Sequence, residues 1–150
     1  MRLAKNISFY IVVAFILCLL SKYLKSDFLF KYLTDNIIGL LLTLLAINTA
    51  TLGLIASKIQ DMLEKHPKMS FKNTTKEMKF SLTEQVILII VSVIALVVLD
   101  SEIITFQFKE LLLNTVLVSV LIYSVNILWD TGKAVFVIID LIEQMNKKDE

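Results

Sequence analysis

The residues best suited to chemistry form a polar stripe along an apolar segment in the C-terminal half of the chain. They are Thr115, Ser119, Tyr123, Asn126, Asp130 and Lys133. Spacings of three and four residues place them within an arc of about 80° on a helix. Hydroxyl and amide groups that end in a carboxylate can line a path for water or ions, or can hydrogen-bond a neighbouring helix.

A polar stripe in an apolar helix must face protein or water, because an unpaired amide or carboxylate costs several kcal/mol in hydrocarbon. Asn48 and Thr51 of an earlier apolar segment are its predicted polar partners. Two interpretations stay open: hydrogen bonds within one bundle, or a wet lining formed when subunits assemble around an axis. A proton-coupled transporter is disfavoured because the stripe's carboxylate, Asp130, lies at the end of its segment, where Lys133 predicts an i,i+3 salt bridge.

No set of residues predicts catalysis. His66 is the only histidine, so any Ser/His/Asp set would depend on this one loop residue, and Cys18 is the only cysteine, so a CxxC motif cannot form. The tail carboxylates Asp140, Glu143, Asp149 and Glu150 are too dispersed to predict a metal site. We therefore expect neither an enzyme nor a cofactor.

The composition is that of a membrane protein. Hydrophobic residues make up 57% of the 150 residues and charged residues 19%, against roughly 45–50% and about 25% in soluble domains. The formal net charge is +1, so direct binding of nucleic acid is not expected. A soluble bundle of four buried helices is the alternative, but no segment alternates polar and apolar faces as a helix in water does.

Charged residues divide the chain into four apolar segments. About 20 helical residues cross a hydrocarbon core of ~30 Å, which predicts an all-α, polytopic membrane domain formed by residues 1–150. The predicted parts are spans at about 6–23, 36–57, 83–101 and 111–130, a cytoplasmic loop at 58–82 and a helical cytoplasmic tail at 131–150. The first span is expected to be a retained signal anchor, since the sequence around Cys18 lacks a cleavage pattern.

The distribution of lysine and arginine predicts the orientation. With the N-terminus inside, eleven of these residues lie on the inner side and four on the outer side. Positive charge concentrates in short cytoplasmic loops. We therefore expect four spans in the inner membrane with both termini in the cytoplasm.

Local signals predict where helices begin and end. Ser81 and Glu84 form a capping box that predicts the start of the third helix, and Pro67 predicts the end of the second. The loop between them is basic, with Lys65, Lys68, Lys72, Lys76 and Lys79. Such a loop can contact anionic lipid headgroups or a partner, or can simply be solvated.

Small residues form a seam along the second predicted span: Gly39, Thr43, Ala46, Ala50, Gly53 and Ser57. In lipid, small residues let helix backbones approach closely enough to gain packing contacts. The seam predicts either packing inside the bundle or a contact between subunits. The second possibility implies a homo-oligomer.

The layout resembles that of small four-span membrane subunits of antiphage defence operons, such as the Kiwa membrane subunit and the Rex-type exclusion membrane protein. The resemblance lies in LLTLLAINTATLGLIASKIQDMLEK after a short first span, and in a fourth span that ends in NILWDTGKAVFVIIDLIEQ. It implies an oligomeric inner-membrane sensor or scaffold that engages a cytoplasmic effector protein. The alternative is a channel or pore-type effector that depolarises the membrane, and a holin-like or transporter accessory protein comes next.

Overall fold

The computed structural model describes residues 2–67 and 69–149, together with their side chains except those of residues 2–7, 146, 148 and 149. This part of the chain contains four helices: α1 (Arg2–Tyr23), α2 (Phe28–Lys65), α3 (Lys72–Asp100) and α4 (Lys109–Asp149). No strand occurs among the described residues. The predicted all-α class is confirmed.

Three of the helices are long and apolar enough to cross a membrane: α2, α3 and the Lys109–Met145 part of α4. In α1, the apolar stretch among residues with described side chains is Ser8–Tyr23, which is shorter. With 38 and 41 residues, α2 and α4 measure about 57 and 62 Å at 1.5 Å per residue. Both are roughly twice as long as a hydrocarbon core is thick, so they extend well beyond it.

Helix α4 is the central element, because it packs against α1, α2 and α3, while α2 also packs against α3. The side chains show how α1 lies against it. The Tyr10 and Tyr123 rings are 5.4 Å apart, and Cys18 lies within hydrogen-bonding reach of Thr115. Residue numbers thus rise along α1 as they fall along α4, so the two helices are antiparallel.

The turn between α1 and α2 ends α1 with a Schellman motif. Ser26 donates its backbone N–H to the Ser21 carbonyl, and Lys25 donates to the Lys22 carbonyl. Lys25 takes the left-handed conformation that this motif requires, with φ of 51°, at a position that usually holds glycine. The motif reverses the chain within four residues.

A seven-residue repeat organises the packing of α2, α3 and α4. On α2 the buried residues Leu41, Asn48, Ile55 and Met62 are seven apart, and on α4 so are Leu117, Ser124, Thr131 and Ile138. Gln85 and Ser92 of α3 follow the same spacing. A seven-residue repeat is typical of left-handed helix packing with interlocking side chains.

This packing continues past the apolar segments into a three-helix stalk, which comprises residues 58–65 of α2, 72–82 of α3 and 131–149 of α4. A second apolar core lies partly within it, with Leu52, Ile55, Ile59, Met62 and Ile138 at its centre. Met69, Phe71 and Met78 pack against that core. The predicted loop at 58–82 is therefore largely helical, and residues 131–149 of the predicted tail belong to α4.

The helix boundaries correct one prediction and confirm another. The start of the third helix predicted from the capping box was wrong, because α3 begins at Lys72 and Ser81 lies inside this helix. The reason is that Met78 packs into the stalk core, while Ser81 and Glu84 accept hydrogen bonds from other helices. The end of α2 at Lys65, just before Pro67, is as predicted.

The stalk core gives a stability prediction. Ile138→Ala removes a side chain that is 5% exposed, and we expect it to cost about 2–5 kcal/mol. Ile139→Ala is the matched control, because the Ile139 side chain is 52% exposed and its removal should change stability by less than ~0.5 kcal/mol. Thermal unfolding of the purified variants measures both, and equal melting temperatures would contradict a packed stalk.

Candidate functional site

The first two residues of the polar stripe, Thr115 and Ser119, donate hydrogen bonds to carbonyl groups of their own helix. Thr115 is buried and donates to the Leu111 carbonyl at 2.7 Å, and Ser119 donates to the Thr115 carbonyl at 2.6 Å. Hydroxyls often bond to the preceding turn in this way. Among the described residues, Ser119 therefore forms no hydrogen bond to another helix, while Thr115 also lies within hydrogen-bonding reach of Cys18 on α1.

Tyr123 is the stripe residue that connects helices. Its hydroxyl donates to Oε1 of Glu84 on α3 at 2.5 Å, and its ring lies beside that of Tyr10 on α1. A hydrogen bond to a carboxylate is among the stronger polar contacts in a protein. Tyr123 thus joins α1, α3 and α4 at one level.

The lower end of the stripe is an exposed ionic group. Asn126 donates to Asp130 at 3.2 Å, and Lys133 pairs with Asp130 at 2.6 Å. The predicted Asp130–Lys133 salt bridge is confirmed. Both side chains are more than half exposed, so the pair adds little stability.

The predicted partners of the stripe lie elsewhere. Asn48 is fully buried and donates to Ser81 at 3.0 Å and to Gln85 at 2.9 Å, both on α3. Thr51 donates to the Ile47 carbonyl in its own helix. The prediction that these two residues pair with the stripe was wrong, because Asn48 belongs to the seven-residue repeat that faces α3.

Four buried polar atoms have no hydrogen-bond partner among the described residues: Asn48 Oδ1, Gln85 Nε2, Ser92 Oγ and Ser124 Oγ. Their side chains are at most 3% exposed. Sequence reasoning missed Gln85, Ser92 and Ser124, since they lie off the stripe. The seven-residue spacing of Gln85 and Ser92 was the signal that could have found them.

A groove of about 820 Å³ lies between α1 and α3, with α4 as its floor. Its lining is almost entirely apolar and includes Ile11, Phe15, Ile87, Val91 and Val116. Thr115, Ser119 and Tyr123 of the stripe also line it. The upper stripe therefore faces an open apolar groove.

A second cavity, here called the cleft, lies beneath the groove between α2, α3 and α4, with a volume of about 710 Å³. Its lining includes Glu77, Asn126 and Asp130. Glu84 and Tyr123 line both cavities. Their hydrogen bond thus marks the boundary between an apolar groove and a cleft of mixed lining that also contains Glu77 and Asp130.

The small-residue seam on α2 faces away from the rest of the chain. All six of its residues are exposed, and a Cβ placed on Gly39 or Gly53 meets nothing within 4 Å. Thr43 satisfies its hydroxyl on the Gly39 carbonyl. Packing of the seam inside the bundle is therefore excluded, because the seven-residue repeat on the other face of α2 makes those contacts.

The basic residues lie on the stalk. Lys65 ends α2, while Lys72, Lys76 and Lys79 lie on α3, and all four are exposed. The spacing of the last three places them on one face of α3. Lys68 lies outside the described residues.

The described residues include no group of three or more His, Cys, Asp or Glu side chains that could hold a metal ion. Cys18 is buried against α4, and His66 caps the end of α2. No protein-family model matches the chain, and comparisons with curated proteins and with solved structures likewise found no match.

The buried Asn48 layer gives a second prediction. Asn48→Leu removes two hydrogen bonds. It leaves both Oε1 and Nε2 of the buried Gln85 side chain without a hydrogen-bond partner, so we expect the free energy of unfolding to fall by about 1–3 kcal/mol. Thr51→Val is the control, since its hydroxyl bonds only to its own helix, and it should stay within ~0.5 kcal/mol of the parent. Melting temperatures in detergent measure the difference, and a neutral Asn48→Leu would show that the layer does not hold α2 against α3.

Proposed function

We propose that this chain is a four-span inner-membrane protein that self-associates and serves as the sensor or scaffold of an antiphage defence system, engaging a cytoplasmic effector protein. The observation that carries this proposal is the stalk. Three helices leave the apolar region together and keep a shared core, with Ile59, Met62 and Ile138 buried in it. A packed helical platform of this kind suits docking of a soluble protein.

The register of α1 supports a fourth span. Tyr10 lies level with Tyr123, and Cys18 lies level with Thr115. Extending this antiparallel register places residues 3–22 beside residues 111–130, the full length of the fourth predicted span. A helix that accompanies a spanning helix over its whole apolar length crosses the membrane with it.

The same register supports placing both termini on one side. An antiparallel pair brings the start of α1 to the level of the stalk, where α4 ends. The lysine and arginine count favours the cytoplasm for that side. The exposed residues Lys65, Lys72, Lys76 and Lys79 then surround the stalk, where they can meet anionic headgroups or an acidic surface of the effector.

Self-association is supported by the seam. The exposed small residues of the seam make no close packing contact with the other described helices. The α2 helix of a second subunit packed on the seam would gain close backbone contact. Gly39 and Gly53 both leave open space for such an approach. The role in antiphage defence is supported by the resemblance in layout, and self-association fits that role.

A channel is the second candidate function. The specific observation in its favour is that Ser119 and Tyr123 line a groove open to the outside of the subunit, which an assembly around an axis could enclose. A steady ion conductance of the purified protein in liposomes would place the channel first. Absence of conductance, with a stable effector complex, would favour the scaffold.

The topology has a direct test. In a Cys18→Ser background, Lys31→Cys and Gln107→Cys should react with a membrane-impermeant thiol reagent in intact cells. Lys72→Cys and Lys147→Cys should react only after the membrane is permeabilised. Labelling of Lys72→Cys in intact cells would overturn the orientation.

The seam predicts a separation of assembly from folding. Gly53→Leu should leave the melting temperature of the single chain unchanged, because nothing lies within 4 Å of the new Cβ. It should reduce the oligomer to smaller species, since a bulky side chain prevents close helix approach. Leu54→Ile, one residue off the seam, is the control. Native gels and light scattering report the size, and an unchanged oligomer would show that the seam faces only lipid.

A further inference from the structure

The groove between α1 and α3 opens sideways at the depth of the apolar segments. We propose that it binds an acyl chain of an amine-bearing phospholipid, such as phosphatidylethanolamine, whose ammonium group pairs with Glu84. This inference rests on the proposed membrane location. It assigns the groove a ligand class and Glu84 a role in selecting the headgroup.

The dimensions of the groove suit an acyl chain. Its α4 floor runs from Leu111 to Tyr123, which is about 18 Å at 1.5 Å per residue. One leaflet contributes half of a ~30 Å hydrocarbon core, or about 15 Å. With a volume of about 820 Å³, the groove has room for one complete acyl chain along its length.

The lining distinguishes a lipid from a second copy of this protein. Branched and aromatic side chains such as Ile11, Phe15 and Ile87 line the groove, and glycine and alanine are absent from its described lining. Helices associate in lipid through small residues that admit close backbone approach. This chain carries such residues on the exposed seam of α2, so a second copy is expected there, and a flexible hydrocarbon chain fills the groove.

Glu84 provides the charge complementarity. It is half-buried, and among the described residues its hydrogen bond is the one from Tyr123. Side chains tilt toward the N-terminus of their helix, which for α3 is the stalk end, so the carboxylate is directed toward the cleft. Partial burial of a carboxylate costs free energy unless a positively charged group lies beside it. The ammonium group of a lipid can be that positive partner.

The neighbouring charges favour an amine over an anionic headgroup. Glu77 and Asp130 also line the cleft, and Asp130 is already paired with Lys133. Glu77 and Glu84 therefore present carboxylates to the headgroup. Lys76 and Lys79 are exposed nearby on α3 and attract the phosphate that every phospholipid carries, so they do not discriminate.

The test is lipid retention by the purified full chain. Protein extracted in mild detergent is mixed with equal amounts of phosphatidylethanolamine and phosphatidylglycerol, and bound lipid is counted by native mass spectrometry. We expect the parent protein to retain phosphatidylethanolamine preferentially. Glu84→Gln keeps an acceptor for Tyr123 but removes the charge, and should lower the ratio of the two lipids about tenfold. Glu64→Gln, an exposed carboxylate on α2, should leave the ratio unchanged.

A second pair of variants tests the groove itself. Val91→Phe places bulk in the groove and should reduce retention of both lipids, whereas Leu54→Phe, 68% exposed on α2, should not. If Val91→Phe lowers the melting temperature, Leu112→Phe on the α4 floor of the groove provides the same test.

Each outcome bears on a stated part of the proposal. An unchanged lipid ratio in Glu84→Gln at the parent melting temperature overturns the role of Glu84, and unchanged retention in the groove variants overturns the groove. Recovery of the protein in the membrane fraction without any lipid preference would overturn this inference alone. Recovery in the aqueous fraction would overturn the proposed function as well.

Discussion

The hydrogen bonds from Asn48 to Ser81 and Gln85 fix the register on which the bundle depends. A buried polar group must find its partner, so sliding α2 along α3 by one turn would leave three polar side chains unpaired in an apolar interior. Apolar packing alone is less selective, because Leu, Ile and Val accept many neighbours. Once this register is set, the seven-residue repeat aligns Ile55 and Ile138 in the same core further down.

Each long helix uses its faces for different purposes. On α2, the repeat through Leu41 and Ile55 faces the chain's own core, and the seam through Gly39 and Gly53 faces outward. On α4, the repeat through Ser124 and Ile138 faces α2 and α3, and the stripe through Ser119 faces the groove. A periodic pattern of residue types identifies a face but does not say which neighbour that face will meet.

This explains what could and could not be predicted from sequence. The helical class, the end of α2 just before Pro67 and the Asp130–Lys133 pair depend on local spacing and hydrophobicity, and each was predicted. The start of α3 and the partners of Asn48 depend on contacts between helices. A strong capping box at Ser81 was overridden because Met78 gains a place in the stalk core when the helix begins earlier. Glu84 was assigned to that capping box, so its hydrogen bond with Tyr123 could be found only once α3 and α4 were placed side by side.

The continuity of α4 connects the groove with the stalk. One unbroken helix forms the floor of the groove at Ser119 and part of the stalk at Ile138, so the groove and the stalk share one continuous element. The Asn48 layer opposes sliding of α2 against α3, and Tyr123 ties α4 to Glu84. A force on the stalk would therefore act as a tilt or rotation of packed helices, since such interfaces shift between discrete arrangements rather than deform continuously. Because Glu84 lies at the boundary between cleft and groove, any such rotation would change the environment of its carboxylate.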